Sequence, residues 1–277
     1  MELLDDIWGV IIKSLTFNEK PEGQYINLAF MSSVSKKFNS LCKKQKQRFE
    51  ILSLKVKSQL FQKYFAQNGH LSCLQYAFKN GCKWDKETCS YAALNGHLEC
   101  LKYLHENGCQ WDTRTCKNAA FNGHLECLKY AYENGCPWNV DTCSKAAFNG
   151  HLECLKYVHQ HGCQWDSNTC SYAALNGQLE CLKYSHENGC AWNEDTCALA
   201  AQNGHLDCLT YAHEHGCPWN EETCSCATFD GQLECLKYAH ENGCPWDSNT
   251  CLYATENGHL ECLQYAHENG CPCKHNL

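Results

Sequence analysis

The stretch WDKETCSYAALNGHLECLKYLHENGCQ, from Trp84 to Gln110, decides the fold, because Trp111 begins almost the same sequence again. The glycine that follows Asn95 marks the period most clearly. Its equivalents are spaced 27 residues apart, at Gly69, Gly96, Gly123, Gly150, Gly177, Gly204, Gly231 and Gly258. A fixed period of this length is typical of structural units that stack side by side and share one continuous core.

One copy of the repeat predicts two short helices. Asp85 has the side chain of a helix N-cap, which accepts a hydrogen bond from the first free amides. Cys89, Ala92 and Ala93 lie at i, i+3 and i+4, and this spacing predicts the buried stripe of a first helix that stops at Gly96. A second helix is predicted from about Leu98 to Asn107, ending at Gly108, and its inner face consists of Leu98, Cys100, Leu101 and Leu104. The sequence therefore predicts an all-α array of helix-turn-helix repeats, about eight of them, over residues 58–277.

The chain contains 26 cysteines, and 23 of them fall into three columns of the repeat. The first column is Cys73, Cys100, Cys127, Cys154, Cys181, Cys208, Cys235 and Cys262; the second is Cys82, Cys109, Cys136, Cys163, Cys190, Cys217, Cys244 and Cys271; the third is Cys89, Cys116, Cys143, Cys170, Cys197, Cys224 and Cys251. Free cysteine packs as a small hydrophobic residue, so we expect all of the thiols to be reduced and the column thiols to be buried.

Disulfides and a metal site are the alternatives for these cysteines. The repeat has no C-x-x-C pair, and the ligand-type residues within one unit are widely spaced. The tightest cluster is Cys271-Pro272-Cys273 with His275, and Cys271 belongs to an ordinary column. We therefore predict no metal site and no cofactor.

Two histidine columns indicate packing rather than catalysis. His97 and its equivalents give way to Gln178 and Gln232 in two copies, and glutamine can hydrogen-bond as imidazole does but cannot act as a general base. The column of His105 admits Phe78 and Tyr132. No phosphate-binding loop or catalytic triad stands out, so the chain is predicted not to be an enzyme.

Charge divides the chain into two parts of opposite sign. Residues 1–65 contain 11 Lys/Arg and 6 Asp/Glu, a net charge of +5, and the rest contain 12 and 25, a net charge of −13. An array this acidic is unsuited to nucleic acid, because nonspecific binding depends on neutralising phosphates. The chain has no apolar run of membrane-spanning length, and Asp5 and Asp6 lie directly ahead of the apolar stretch that begins at Ile7, unlike a signal peptide. We expect a monomer in the cytoplasm without a membrane partner, and the nucleus stays an alternative.

Two columns that vary between copies predict the surface that binds a partner. They contain Tyr91 and Leu94, which lie three residues apart near one face of the first helix. Large aromatic side chains recur there, and a row of them on adjacent helices is typical of a recognition surface. The alternative is that these positions are merely solvent-exposed, since scattered apolar surface is common. The predicted target-binding residues are Tyr91, Phe121, Lys145, Phe148, Tyr172 and Phe229.

The string ETCSYAALNGHLECLKYLHENGC, residues 87–109, resembles the ankyrin repeat. The residues that match the family consensus position for position are Ala92, Ala93, Gly96, His97, Leu98, Leu101 and Gly108. An ankyrin unit has about 33 residues, so roughly six are missing here, where the family has its β-hairpin finger. The resemblance covers the chain from about Leu60 onward. It implies a protein-binding array whose first helices line a concave surface, and the shortened unit predicts little or no β structure.

Residues 1–57 do not repeat, and they resemble an F-box. LLDDIWGVIIKSL, residues 3–15, and INLAFMSSVSKKFNSLC, residues 26–42, have the helical apolar spacing of that family, although Leu4 stands where the family usually has proline. The resemblance implies docking on the Skp-family adaptor of a cullin-RING ubiquitin ligase. The implied docking residues are Leu3, Leu4, Ile7, Ile11, Leu15, Leu28, Met31, Val34 and Phe38. The alternative is a helical cap that shields the first repeat.

An F-box-like segment before ankyrin-like repeats is similar to the adaptor proteins of large DNA viruses that infect eukaryotes. This resemblance implies a non-enzymatic adaptor that recruits a target protein to a host SCF-type ubiquitin ligase. Two alternatives stay open. One is a plain ankyrin-repeat binding or scaffold protein without a ligase link, and the other is a cysteine-rich metal-binding protein.

Overall fold

The computed structural model describes residues 59–79 and 81–273. Within these residues the chain forms sixteen α-helices and no β-strand. The helices are α1 (Gln59–Gln67), α2 (Leu71–Lys79), α3 (Lys86–Leu94), α4 (Leu98–Glu106), α5 (Thr113–Phe121), α6 (Leu125–Glu133), α7 (Val140–Phe148), α8 (Leu152–Gln160), α9 (Ser167–Leu175), α10 (Leu179–Glu187), α11 (Glu194–Gln202), α12 (Leu206–Glu214), α13 (Glu221–Phe229), α14 (Leu233–Glu241), α15 (Ser248–Glu256) and α16 (Leu260–Glu268). They form eight helix pairs, which confirms the predicted all-α solenoid.

The described residues belong to the predicted repeat array, residues 58–277, and not to the predicted N-terminal module. The F-box-like segment 1–57 and its nine proposed docking residues lie outside them, so that prediction stays a prediction. Among the described helices, none combines the length and apolar character needed to cross a bilayer.

From α3 onward, the first helix of each unit begins at the N-cap that the sequence indicates. Asp85 has extended backbone before α3, and its carboxylate accepts hydrogen bonds from the Thr88 amide at 2.9 Å and the Thr88 hydroxyl at 2.8 Å. Asp112 accepts from the Arg114 amide at 3.0 Å before α5. Such a cap satisfies one of the free amides of the first turn, and a cap contributes about 0.5–2 kcal/mol to stability.

The turn inside each unit depends on a glycine in left-handed conformation. Gly96 has φ +72°, and the following amide of His97 reaches back to the carbonyl of Ala92 at 2.9 Å, which closes the end of α3. A Cβ at Gly96 would also meet Nδ1 of His124, from the next repeat, at 2.5 Å. Glycine is therefore needed there both for its backbone and for its missing side chain.

The core is one band of side chains between the layer of first helices and the layer of second helices. In the second repeat Cys89, Ala92 and Ala93 of α3 are fully buried, as are Leu101 and Leu104 of α4. Small side chains let successive first helices approach closely, and each buried leucine contributes about 1.5–3 kcal/mol relative to leaving it exposed. The buried cluster continues from the first described repeat to the last.

Leu98 differs from its prediction. The spacing indicates the inner face of α4, but Leu98 is only half-buried and packs against the edge of the core. It is the first residue of α4, directly after the turn, so its side chain lies beyond the band that Leu101 and Leu104 occupy. Its equivalent Leu260 in the last repeat is 73 % exposed.

The outer face of the second helices is charged. Lys102 pairs with Glu99 across one turn at 2.9 Å, and the same pair recurs as Lys129–Glu126, Lys156–Glu153, Lys183–Glu180 and Lys237–Glu234. These ion pairs are exposed, so they contribute little to stability. Lysine occupies this column in five of the eight copies, and the face is solvated.

Candidate functional site

Three aromatic rings on successive first helices form a continuous row, which we call the aromatic strip. Phe121 of α5 and Phe148 of α7 lie parallel, with centroids 6.2 Å apart and an interplanar angle of 18°. Tyr172 of α9 meets Phe148 edge-on, at 6.1 Å and 84°. All three side chains are half-buried, so the strip presents a partly exposed aromatic surface across the middle of the array.

Lys145 completes the strip. Its Nζ lies 5.4 Å from the ring centroid of Phe148 and 5.4 Å from that of Tyr172. An ammonium group over ring faces is attracted by their quadrupoles, so the lysine is held between the two rings. The middle of the array therefore combines apolar surface with one fixed positive charge.

A ladder of asparagine side chains sets the spacing of the rings. Asn149 donates from Nδ2 to the carbonyl of Phe121 at 2.6 Å, and Asn176 donates to the carbonyl of Phe148 at 2.9 Å. Each bond ties the end of one first helix to the turn of the next repeat. The backbone that carries the rings is therefore fixed by bonds that do not involve the rings.

The other two predicted target-binding residues lie apart from the strip. Phe229 is 43 % exposed and meets Tyr253 edge-on at 5.6 Å, near the far end of the array. Tyr91 packs against the buried core and makes no ring contact within the described part of the chain. Tyr172 meets Phe148 of the preceding repeat, but the repeat before Tyr91 has Gln67 at the equivalent position, so no ring stands beside Tyr91.

The histidines at the start of the second helices are structural. His97 donates from Nε2 to the carbonyl of Gln67 at 3.0 Å, and His259 donates in the same way to Phe229 at 3.0 Å. Burial lowers the pKa of His124 and of His151. These histidines therefore bond the backbone of the preceding repeat, which agrees with the structural role that the sequence indicates.

A second histidine column builds the seam between repeats. His105 stacks on Trp111 with 3.9 Å between centroids, and its Nδ1 is 3.0 Å from the hydroxyl of Tyr130 in the next repeat. The stack recurs as His159–Trp165, His186–Trp192, His213–Trp219 and His240–Trp246. Tyr132 replaces histidine and stacks on Trp138 at 3.7 Å. The tryptophans therefore fill the seams between neighbouring repeats.

The column cysteines are buried, as predicted. Cys109 donates from Sγ to the carbonyl of Asp85 at 3.2 Å, and the second column repeats this bond. A hydrogen bond with Cys109 and burial raise the pKa of Cys89, and burial raises the pKa of Cys100 to about 12. A thiol that stays protonated is a poor nucleophile, so these cysteines act as packing residues.

One pair corrects the expectation of 26 reduced thiols: Cys251 and Cys273 form a disulfide, with Cα atoms 5.6 Å apart. The ligand atoms of Cys251, Cys273 and His267 all lie within 4.8 Å of one another. Proximity along the sequence groups Cys273 with Cys271 and His275 instead. Cys271 donates to the carbonyl of Asp247 at 3.2 Å, like its column, and His275 lies outside the described residues. The signal that could have found the trio is that Cys273 stands 27 residues after Trp246, in the tryptophan column.

Comparison with known proteins places the array in a class. Residues 63–142 match the family model described as ankyrin repeats in three copies. The ankyrin repeat domain of human ASB11 is a similar solved structure, with a TM-score of 0.50 and 20% sequence identity over 57% of this chain and 84% of that chain. A search of curated proteins gave no match.

Geometry and comparisons together define a class of architecture, the solenoid of stacked helix pairs. Within that architecture, residues 63–142 are similar to ankyrin repeats, and the period of the array is 27 residues. The ankyrin fold is typically a non-enzymatic binding scaffold, and no catalytic family is indicated.

Proposed function

We propose that the chain is a non-enzymatic adaptor whose aromatic strip binds a target protein and whose residues 1–57 bind a Skp-family adaptor of a cullin ubiquitin ligase. The observation that carries the target-binding half is the strip itself. Leu175, Gln202 and Glu256 occupy the column of Phe121 in other repeats, so the fold does not require rings there. Rings that the packing does not need, held by the asparagine ladder, are suited to recognition.

The ligase half rests on the sequence resemblance of residues 1–57 to an F-box, and on their net positive charge beside an acidic array. Recruitment by two separate modules requires only that each bind its own partner. We place this activity in the cytoplasm of the host cell of a large DNA virus, as the resemblance implies.

Binding of the full chain to a purified Skp-family adaptor tests the ligase half. Ile11→Asp puts a charge into the proposed helical interface and is expected to abolish binding, because an unpaired buried charge costs several kcal/mol. Phe148→Ala is the matched control, since it alters the strip and leaves residues 1–57 intact. If the parent chain shows no affinity for the adaptor, the ligase role is wrong and the plain scaffold remains.

Affinity capture from eukaryotic cytosol, read by mass spectrometry, tests the target-binding half. The triple variant Phe121→Ala, Phe148→Ala and Tyr172→Ala is expected to lose the captured target, with each ring worth more than about 1 kcal/mol if it is a hot spot. The control is the triple alanine variant of Lys102, Lys129 and Lys183 on the outer face. Loss of the target from the lysine variant alone would move recognition to the outer surface.

A further inference from the structure

The last described repeat departs from the others at one position of its seam. In the preceding repeat His240 stacks on Trp246 at 3.9 Å and lies 2.9 Å from the hydroxyl of Tyr265. One period later the same places hold His267 and Cys273. A thiol therefore stands where the other seams have an indole ring, and within the described residues no ring stacks on His267.

This replacement changes the partner of Cys251, the third-column cysteine of the same repeat. Cys224 lies beside Cys244, twenty residues further on, and a hydrogen bond between the two thiols raises the pKa of Cys224. Cys251, the next member of the column, is joined instead to Cys273, twenty-two residues further on. The replacement of tryptophan by cysteine thus brings a second sulfur to a buried one, with an imidazole nitrogen beside both.

Two thiols and an imidazole are the donor set that Zn²⁺ prefers. In a tetrahedral zinc site the ligand atoms are separated by roughly 3.3–3.8 Å, given Zn–S of about 2.3 Å and Zn–N of about 2.0 Å. The three ligand atoms here already lie within 4.8 Å of one another, on α15, on α16 and just after α16. Reduction of the disulfide frees the two sulfurs to move apart to the separation of zinc ligands, and His267 is exposed, which leaves a path for the ion to enter.

We propose that Cys251, His267 and Cys273 form a zinc site in the reduced chain, with the fourth position of the tetrahedron open to a water molecule. The disulfide and the zinc site use the same two sulfurs, so they exclude each other. Reduction of the S–S bond by a thiol reductant of the glutathione class, itself oxidised to a disulfide, gives two thiols. Binding of Zn²⁺ then releases their two protons to solvent.

Cobalt titration of the full chain tests the site directly. The chain is reduced with a phosphine, stripped with a chelator and titrated anaerobically with Co²⁺, whose thiolate charge-transfer and tetrahedral d–d bands report ligation. The expected stoichiometry is about one Co²⁺ per chain, displaced by added Zn²⁺. No saturable cobalt spectrum in the reduced parent chain would overturn the proposal.

Matched variants decide which residues bind. Cys273→Trp restores the residue of the other repeats, so it keeps the fold, and it is expected to abolish the cobalt bands. His267→Gln is expected to weaken binding at least tenfold, as loss of one ligand does. Cys226→Ser, at a half-buried cysteine outside the cluster, is expected to bind like the parent. Unchanged binding by a folded Cys273→Trp chain, or loss of binding in Cys271→Ala with retention in Cys273→Trp, would show that this trio is wrong.

Thermal melting tests the zinc site independently of the cobalt absorption spectrum. Zn²⁺ is expected to raise the melting temperature of the reduced parent chain, because an ion that binds only the folded state stabilises it. The Cys273→Trp chain should show no such shift. An equal rise in both chains would overturn the assignment.

Discussion

The imidazole of His105 lies flat on the indole of Trp111, and it also reaches the hydroxyl of Tyr130 in the following repeat. One aromatic cluster thus joins two units. We expect Trp111→Ala to lower the free energy of unfolding by about 2–3 kcal/mol, less than for a fully buried tryptophan. Urea denaturation measures this loss, with Lys102→Ala as the control. A loss below about 0.5 kcal/mol would mean that the Trp111 stack contributes almost nothing to the free energy of unfolding.

Two glycines with the same backbone conformation allow the cost of backbone strain to be measured separately from the cost of steric crowding. Gly96 and Gly108 have φ +72° and +82°, but a Cβ would meet His124 only at Gly96. Gly108→Ala is expected to cost about 1–2 kcal/mol through backbone strain alone. Gly96→Ala should cost about 1–3 kcal/mol more, because the ring must move away from its bond to Leu94. Adding His124→Ala to Gly96→Ala should recover part of the excess, and equal costs at the two glycines would refute the crowding.

Removal of rings from the aromatic strip should hardly change folding. Phe148→Ala is expected to lower the free energy of unfolding by about 0.5 kcal/mol, as for surface substitutions, because the helix is fixed by Asn149 and Asn176. Melting of the single alanine variants checks this. A variant that melts far below the parent would show that the rings belong to the core.

Stability should fall when the pH drops below neutrality. Burial lowers the pKa of His124 and of His151, so the folded chain keeps these rings neutral where the unfolded chain already binds protons. Above about pH 6.5 both states are neutral and the stabilisation is complete; it is lost as the pH falls through the lowered folded values. Urea midpoints between about pH 7.5 and about pH 5.5 measure the slope. His124→Gln, which introduces the side chain that the same column has at Gln178, should reduce the slope, and a midpoint that rises at lower pH would contradict the burial argument.

Alkylation should separate the buried thiols from the rest. Burial raises the pKa of Cys100 to about 12 and of Cys127 to about 11, so the folded chain should react slowly at these positions near neutral pH. After denaturation without reductant, 24 thiols should be modified, which is the 26 of the sequence less the Cys251–Cys273 pair. Reductant should raise the count to 26. Rapid labelling of Cys100 in the folded chain would place that column at the surface.

The period of the sequence was enough to predict the helices, the caps and the buried stripe. Asp85, Gly96 and Leu101 have equivalents at the same place in the other copies. Each copy therefore predicts the same two helices, and a deviation in one copy does not change the prediction.

Contacts that depend on a single substitution could not be predicted in this way. Tyr91 stays outside the aromatic strip because the preceding repeat has Gln67 where Tyr172 meets Phe148, and helical spacing alone does not encode that difference. Cys273 meets Cys251 and His267 only because it takes the place of an indole ring, whereas proximity in sequence suggested Cys271. The contacts of a residue that breaks a column are predicted better from the contacts that the other members of the column make in space than from the residues next to it in sequence.

The seam between repeats has a consequence for how such a chain can change over generations. His105 meets Tyr130 at a separation of 25 residues, and four further seams repeat this bond, so a second-helix end that carries the histidine fits any following repeat that carries the tyrosine. Unequal exchange between two copies removes or adds a whole period and leaves matching halves at the junction. The array can therefore be lengthened, shortened or reshuffled without new seam chemistry, and each exchange reorders the side chains that lie along the aromatic strip.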